Sequence, residues 1–297
     1  MKCDLCPRKC LVDWKKGEKG ICGQTENLKV ARAALHFWEE PCISGDAGSG
    51  AVFFSGCPLH CVFCQNENIA NGTVGKEISL ERLVDIFLEL QEKRANNINL
   101  VTPGHFVPQI VKALDQARKE GLTLPVVYNT SSYETVDTIK MLEGYVDIYL
   151  PDFKYMSPVL SKKYSHAPDY AEVAKAAIAE MVRQTGKAVF VNGEEDNLIL
   201  SGTIVRHLTL PGCMADSMQI LKYLHDTYGD KIYISIMNQF TPLSNLEKYP
   251  ELNRRITDEE YETLVDYAID IGIENGFIQE GDTAEESFIP AFDCEGV

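Results

Sequence analysis

Cys57, Cys61 and Cys64 form a C-x3-C-x2-C run directly after the apolar stretch 51–55, AVFFS, which lies between Gly50 and Gly56. That stretch has the length and the β-branched and aromatic content of a buried strand, so the cysteines leave a strand end. Three thiolates in one short loop can converge on a single centre, and thiolates suit zinc or an iron–sulfur cluster. A structural zinc site takes four protein ligands, and His60, adjacent to Cys61, is awkwardly placed to be the fourth. A cluster held by three cysteines leaves one iron open to an outside ligand.

A second group lies at the N-terminus. Cys3, Cys6, Cys10 and Cys22 are spaced C-x2-C-x3-C-x11-C, with Gly20 and Gly23 beside the last. Four ligands in so short a stretch make a closed site, for structural zinc or an auxiliary [4Fe–4S] cluster. Cys42 lies near Glu39 and Glu40 in a Gly- and Ser-rich segment, Cys213 follows a Pro-Gly turn, and Cys294 stands alone. Glu39, Glu40 and Cys42 lie near the cysteine loop if their segment covers the barrel mouth and are otherwise a solvated acid pair and a buried thiol, Cys213 reads as an inert thiol rather than one near a substrate, and Cys294 carries no signal.

The elements that must position these groups are legible as a strand–helix alternation. Residues 79–94 carry an apolar helical stripe at Leu80, Leu83, Val84, Phe87 and Leu90, with Ser79 as N-cap. Strands are expected at 98–102, 125–130, 146–150 and 231–237, with another ending near 210 after a small excursion through Asn192-Gly193. Helices are expected between them, at 106–120, 134–143, 170–184 and 216–227, and a last one opens on a Thr257–Glu260 capping box. Such alternation implies a parallel sheet with crossover helices, and six units rather than eight imply a partial α/β barrel. The expected division is a Cys-rich extension and covering segment over 1–49, the barrel over 50–245, and a C-terminal helical extension over 246–297.

Composition narrows the partners. The chain of 297 residues has a formal charge of −16, which argues against a nucleic-acid duplex or an anionic membrane as main partner. No apolar run approaches the roughly 18 to 20 residues of a membrane span, and MKCDLCPRKC lacks a signal-peptide core, so a cytoplasmic location is expected. Ten cysteines in clusters then point to metal rather than a disulfide framework.

In parallel α/β barrels the working residues gather at the C-terminal ends of the strands. There the sequence places Thr102 and His105, Asn129 and Ser131, Asp152 and Lys154, Arg206 and His207, and Gln239. Taken alone, Asp152 and Lys154 are an ion pair or a ligand contact, and His207 a core histidine or a site residue.

The cysteine loop, with Phe63 just before its last cysteine, resembles the radical S-adenosylmethionine (SAM) superfamily. The resemblance implies an open (β/α)6 barrel and a [4Fe–4S] cluster on Cys57, Cys61 and Cys64 whose free iron binds SAM. Reductive cleavage of SAM to a 5′-deoxyadenosyl radical would then abstract hydrogen from a substrate. Asp152-Phe153-Lys154, Leu210-Pro211-Gly212 and Asn129-Thr130 resemble motifs of the pyruvate formate-lyase activating enzyme group. That group's Gly-Gly-Glu and Pro-Tyr-His segments are replaced here by Val101-Thr102-Pro103 and Asn238-Gln239-Phe240. The SAM contacts implied are Phe63, Thr102, Asn129, Ser131, Asp152, Lys154, His207 and Gln239. The partners implied are a flavodoxin- or ferredoxin-type reductant and a glycyl-radical protein as substrate. Radical modification of a small metabolite or peptide is the alternative, and a non-catalytic iron–sulfur or zinc protein the rival from another class.

Overall fold

A computed structural model describes residues 2–193, 197–242, 246–279 and 290–297. Its strands are β1 (Lys29–His36), β2 (Ser49–Phe54), β3 (Lys76–Glu77), β4 (Ile98–Val101), β5 (Val126–Thr130), β6 (Ile148–Pro151), β7 (Val189–Phe190), β8 (Ile199–Leu208), β9 (Tyr233–Met237) and β10 (Gly276–Ile278). They form one sheet in the order β10-β9-β8-β6-β5-β4-β2-β1-β3, with β7 paired to β8. From β2 through β10 every neighbouring pair on this path is parallel, while β1 lies antiparallel on β2 and β3 on β1. The two ends of the path do not meet, so the sheet is an open, partial barrel.

The alternation of side chains along the strands sorts the buried residues into an outer layer under the helices and an inner layer within the barrel. Val52, Phe54, Ile98, Leu100, Val126, Tyr128 and Tyr149 face outward onto the helices Leu80–Glu92 and Val107–Lys119. Val127, Ile148, Leu150 and Ile204 face inward, where the short helix Pro41–Ser44 brings Cys42 and Ile43 against them and plugs the base of the barrel. Asn97 Nδ2 holds that plug by donating to Ile43 O at 2.8 Å. β4, β5 and β6 are covered on both faces and buried at every position, so their few polar side chains, Asn99, Asn129 and Thr130, must find hydrogen-bond partners inside.

Local chemistry sets the helix starts. Ser79 accepts the Arg82 N–H at 3.1 Å, and Thr257 and Glu260 form the reciprocal capping box of Asp258–Asp270. Helices Tyr170–Thr185 and Met214–Tyr228 cover β6 and β8. Two details depart from the sequence reading. The helix expected over 134–143 is only Val136–Lys140, and the parallel run gains a seventh strand, β10. After β10 the described chain resumes at 290–297, which lies along β1.

Candidate functional site

The cysteine loop leaves β2 through Gly56 at φ 93, where an added Cβ would collide with the Cys22 carbonyl oxygen. Leu59 is fully buried, and the Val62 N–H donates to Tyr164 O at 2.9 Å. Phe63 fixes the far side of the loop, its ring packed edge-on against Tyr155, Tyr164 and Phe240 at centroid distances of 6.5, 6.5 and 5.9 Å. Packing against these aromatic rings and the hydrogen bond to Tyr164 therefore shape the loop. All three cysteines line one cavity of about 260 Å³ at the strand ends, together with Phe63, Thr102, Asn129, Ser131, Asp152, Lys154 and Gln239.

The donor set fits an iron–sulfur cluster. Burial pushes the Cys57 thiol up to about 11 and raises Cys61 and Cys64 as well, with mutual repulsion of the thiolates adding to the rise at Cys57 and Cys64. Lys154 opposes the rise at all three without reversing it, so these side chains stay neutral, and bound iron is what would hold them as thiolates. Backbone N–H groups of Leu59 and His60 point to Cys57 and that of Asn66 to Cys64, while Ser165 Oγ donates to Cys61 Sγ at 3.0 Å. Among the described residues no three His, Cys, Asp or Glu side chains converge as they would around a single ion.

A charged chain forms the floor of the cavity. Lys154 Nζ pairs with Asp152 at 2.7 Å, Asp152 with Arg206 Nε at 3.0 Å, and Arg206 Nη1 with Glu39 at 3.1 Å. Arg206 Nη2 also donates to Asn129 Oδ1 at 2.6 Å, and Glu39 accepts from Asn99 and Asn129 at 3.0 and 3.1 Å. Burial alone would neutralise these groups. Lys154 and Arg206 nevertheless outweigh it and hold Asp152 below the usual carboxylate range, while Asp152 outweighs it at Lys154 and Arg206 and raises both. Asp152, Lys154 and Arg206 therefore stay ionised in the floor, with Arg206 set between Asp152 and Glu39. Thr102, β-branched yet at φ 56, turns the chain at the cavity rim.

Among the expected contacts, Phe63, Thr102, Asn129, Ser131, Asp152, Lys154 and Gln239 come together, and His207 does not. The strand carries Ile204 and Arg206 inward, so His207 faces the helix Met214–Tyr228, bonded at 2.8 Å through Nδ1 to Phe153 O and at 2.8 Å through Nε2 to Ser217 Oγ. Burial holds it down to about 4. His105 likewise spends Nε2 on Ser55 O at 2.7 Å, bracing the start of the cysteine loop. Arg206, placed at the working face by the sequence, and Glu39, in the segment ahead of the barrel, both reach the cavity although neither was among the expected SAM contacts. The alternation of β8 was the available signal for Arg206; Glu39 reaches the site only because its segment folds under the barrel.

The N-terminal cysteines carry their own preorganised donors. Ile21 N–H reaches Cys10 Sγ at 3.3 Å, and the N–H groups of Leu5, Arg8 and Gln24 point to Cys3, Cys6 and Cys22. A Cβ at Gly20 would meet Cys10 Sγ at 3.3 Å and Cys22 Sγ at 3.8 Å, so these two sulfurs flank one small space. Burial pushes Cys6 up to about 12 and Cys22 to about 11, the same condition as in the central loop. Arg8 clamps this segment to the barrel, donating to Pro58 O at 2.9 Å, Ser165 O at 3.1 Å and His166 O at 2.6 Å, with its guanidinium 5.0 Å above the Tyr133 ring. His60 Nε2 meets Ile21 O at 2.7 Å, which brings the two cysteine groups against each other.

Comparison with known proteins agrees with this geometry. A family model described as the radical SAM superfamily matches residues 51–198. An uncharacterized protein of Methanocaldococcus jannaschii is 28% identical over 272 residues, 90% of this chain and 74% of that one. Among solved structures, HydG, a maturase of the [FeFe]-hydrogenase, superposes with a TM-score of 0.52 at 14% identity over 78% of this chain and 51% of its own. SuiB of Streptococcus suis bound to S-adenosylmethionine gives 0.52 at 13% over 77% and 49%, and methylornithine synthase 0.52 at 14% over 75% and 60%. The chain spans about half the length of the first two of these structures, and the likeness is one of fold.

Proposed function

The chain is a member of the radical SAM superfamily, with that domain over residues 51–198, and on this premise we propose that it is an enzyme using SAM to abstract hydrogen from a substrate. A [4Fe–4S] cluster, reduced by one electron, supplies the cleavage of bound SAM to methionine and a 5′-deoxyadenosyl radical. Cys57, Cys61 and Cys64 would hold the cluster. Lys154 would offer its ammonium to the SAM carboxylate, with Asp152 and Arg206 keeping it in place. Asn129, Ser131 and Thr102 would offer oxygens to the amino group and ribose hydroxyls, and Phe63 and Gln239 would border the rest. The observation that carries the reading is that three cysteines and seven separately expected contacts line the same cavity.

The electron would come from a flavodoxin- or ferredoxin-type carrier. For Cys3, Cys6, Cys10 and Cys22 we propose a second centre, an auxiliary cluster or zinc, supported by an N–H group aimed at each sulfur. Of the two kinds of hydrogen donor, a glycine of a partner protein or a small molecule or peptide, the second is favoured by a cavity walled largely by the chain itself.

The triple substitution of Cys57, Cys61 and Cys64 by Ala tests the assignment. It should abolish formation of 5′-deoxyadenosine from SAM under dithionite while leaving metal on the N-terminal cysteines. Retained cleavage in that variant would sink the proposal; metal binding without SAM turnover in the unaltered protein would favour the non-catalytic rival.

A further inference from the structure

Residues 290–297 attach to the edge of the sheet opposite β10. Ala33 N–H donates to Glu295 O at 2.8 Å and Cys294 N–H to Ala31 O at 3.0 Å, so the segment pairs with the outer side of β1. Arg32 pairs with Asp293 at 3.1 Å and also with Glu295. Arg82, on an outer helix, donates to Gly296 O at 3.0 Å, and Lys76 Nζ to Val297 O at 2.9 Å. Gly296, at φ 73, lies so close to β1 that a Cβ would collide with the Ala33 carbonyl oxygen. Val297 packs on the outer core while Phe292 turns inward, edge-on to Phe53 at 5.5 Å and against Ala31, Ala51 and Val101.

This attachment matters because of where it sits. An open sheet leaves an unpaired edge that proteins normally cover, and it leaves one side of the barrel accessible. The segment covers that edge and at the same time contributes to the cavity. Pro290 lines it directly, and Phe292 backs Phe53, which lines it too. The cavity, about 260 Å³, is below the usual range of about 300–1,000 Å³ for ligand pockets, although a cluster and SAM would share it. A protein loop would have to displace a segment tied to both layers of the fold.

We infer that residues 290–297 are a specificity-determining wall, in which Pro290 and Phe292 restrict the hydrogen donor to a small molecule that fits beside Phe53. The inference rests on the radical SAM reading and names the substrate class of that site. The segment thereby adds a wall to a reaction space that the open sheet leaves accessible, and it keeps larger hydrogen donors away from the radical on that side.

The test uses the reconstituted, cluster-loaded protein with SAM, dithionite and two deuterated alcohols, isopropanol and the bulkier benzyl alcohol. Hydrogen-atom transfer breaks the alcohol's carbinol C–D bond and forms a C5′–D bond, leaving an α-hydroxyalkyl radical that gives up one electron to the oxidised cluster and its hydroxyl proton to water, yielding acetone or benzaldehyde, and the deuterium content of 5′-deoxyadenosine reports which alcohol reached the radical. The wild type should take deuterium from isopropanol and little from benzyl alcohol. Phe292→Ala should raise incorporation from benzyl alcohol several-fold with the cluster's EPR signal unchanged. Arg32→Ala, which loosens the segment from outside the cavity, should act in the same direction. Equal incorporation from benzyl alcohol in all three proteins would overturn the wall. An independent readout is hydrogen exchange at the Ala33 amide, expected to be protected in the wild type and faster in Arg32→Ala; an Ala33 amide that exchanges freely in the wild type would also overturn it. If no protein forms 5′-deoxyadenosine while Ala33 is protected, the radical reading fails and the wall stands as structure alone. A partner protein that accelerates SAM cleavage and exposes Ala33 would instead show a displaceable gate for a protein substrate, against the inference.

Discussion

Arg206 and His207 are adjacent in β8, and strand alternation sends only the first into the cavity. The family resemblance put the histidine among the SAM contacts while its residue context left a core role open, and the apolar residues around it already fixed the parity of the strand. Arg206 answers two carboxylates, Glu39 and Asp152, inside a low-dielectric floor. Arg206→Met should therefore destabilise the fold by about 3–5 kcal/mol, the usual cost of stranding buried charges, and should weaken SAM binding in parallel. Urea unfolding and SAM titration check both; an unchanged urea midpoint would mean that the network is dispensable. His207 has a different signature. Its folded pKa of about 4 lies below the ordinary 6.5, so the unfolded chain binds the proton first as pH falls. The stabilisation is whole above the ordinary value and drains away toward the folded one, at about 1.4 kcal/mol per pH unit. His207→Gln should flatten part of the stability loss between pH 7 and pH 5, measured as urea midpoints. A variant with the wild-type slope would contradict this account. Buried His105, also held to about 4, contributes with the same sign and should keep some slope in the variant.

At the scale of elements, legibility followed length and pattern. Strands β2, β4, β5, β6 and β9 were evident as apolar runs, and the helices with Ser79 and Thr257 caps began where their chemistry placed them. Ser79→Ala should cost about 1 kcal/mol through the lost cap and leave the cluster site untouched, a pairing that thermal unfolding and EPR would check together. The misses were short or dependent on distant contacts. β10 is three residues at a sheet edge, partly exposed, with no periodicity to betray it. The helix Val136–Lys140 is too short for a helical stripe to fix its bounds. Glu39 sits in a segment whose route beneath the barrel depends on Asn96 and Asn97, more than fifty residues away in sequence. Gly56 links β2 to the two cysteine loops. Gly56→Ala would need φ 93 and would press a Cβ into the Cys22 carbonyl, so it should destabilise by more than about 1 kcal/mol and disturb both cysteine groups, seen as altered iron content.

The whole molecule is an open barrel whose working end is capped by an N-terminal cysteine segment and whose free edge is covered by residues 290–297. Neither closure could be read from the sequence, because both join residues far apart in the chain: Arg8 with Pro58 and His166, and Arg32 with Asp293. The spacing of the four N-terminal cysteines suggested a second centre, which is a proposal, whereas their contact with the central loop could not be read from the sequence. If they hold a second cubane cluster, the reconstituted protein should carry about eight irons per chain, falling to about four in a Cys6→Ala, Cys22→Ala variant; zinc in place of that iron would assign the site a structural role. Among the described residues no helix is long and apolar enough to cross a membrane. The central claim is that one cavity joins a cluster on Cys57, Cys61 and Cys64 to SAM. Its most direct measurement is EPR of the anaerobically reconstituted, dithionite-reduced protein before and after SAM, with 5′-deoxyadenosine followed by chromatography. The account predicts that SAM shifts the cluster signal and that 5′-deoxyadenosine accumulates; a reduced cluster whose signal ignores SAM, with no 5′-deoxyadenosine formed, would contradict it.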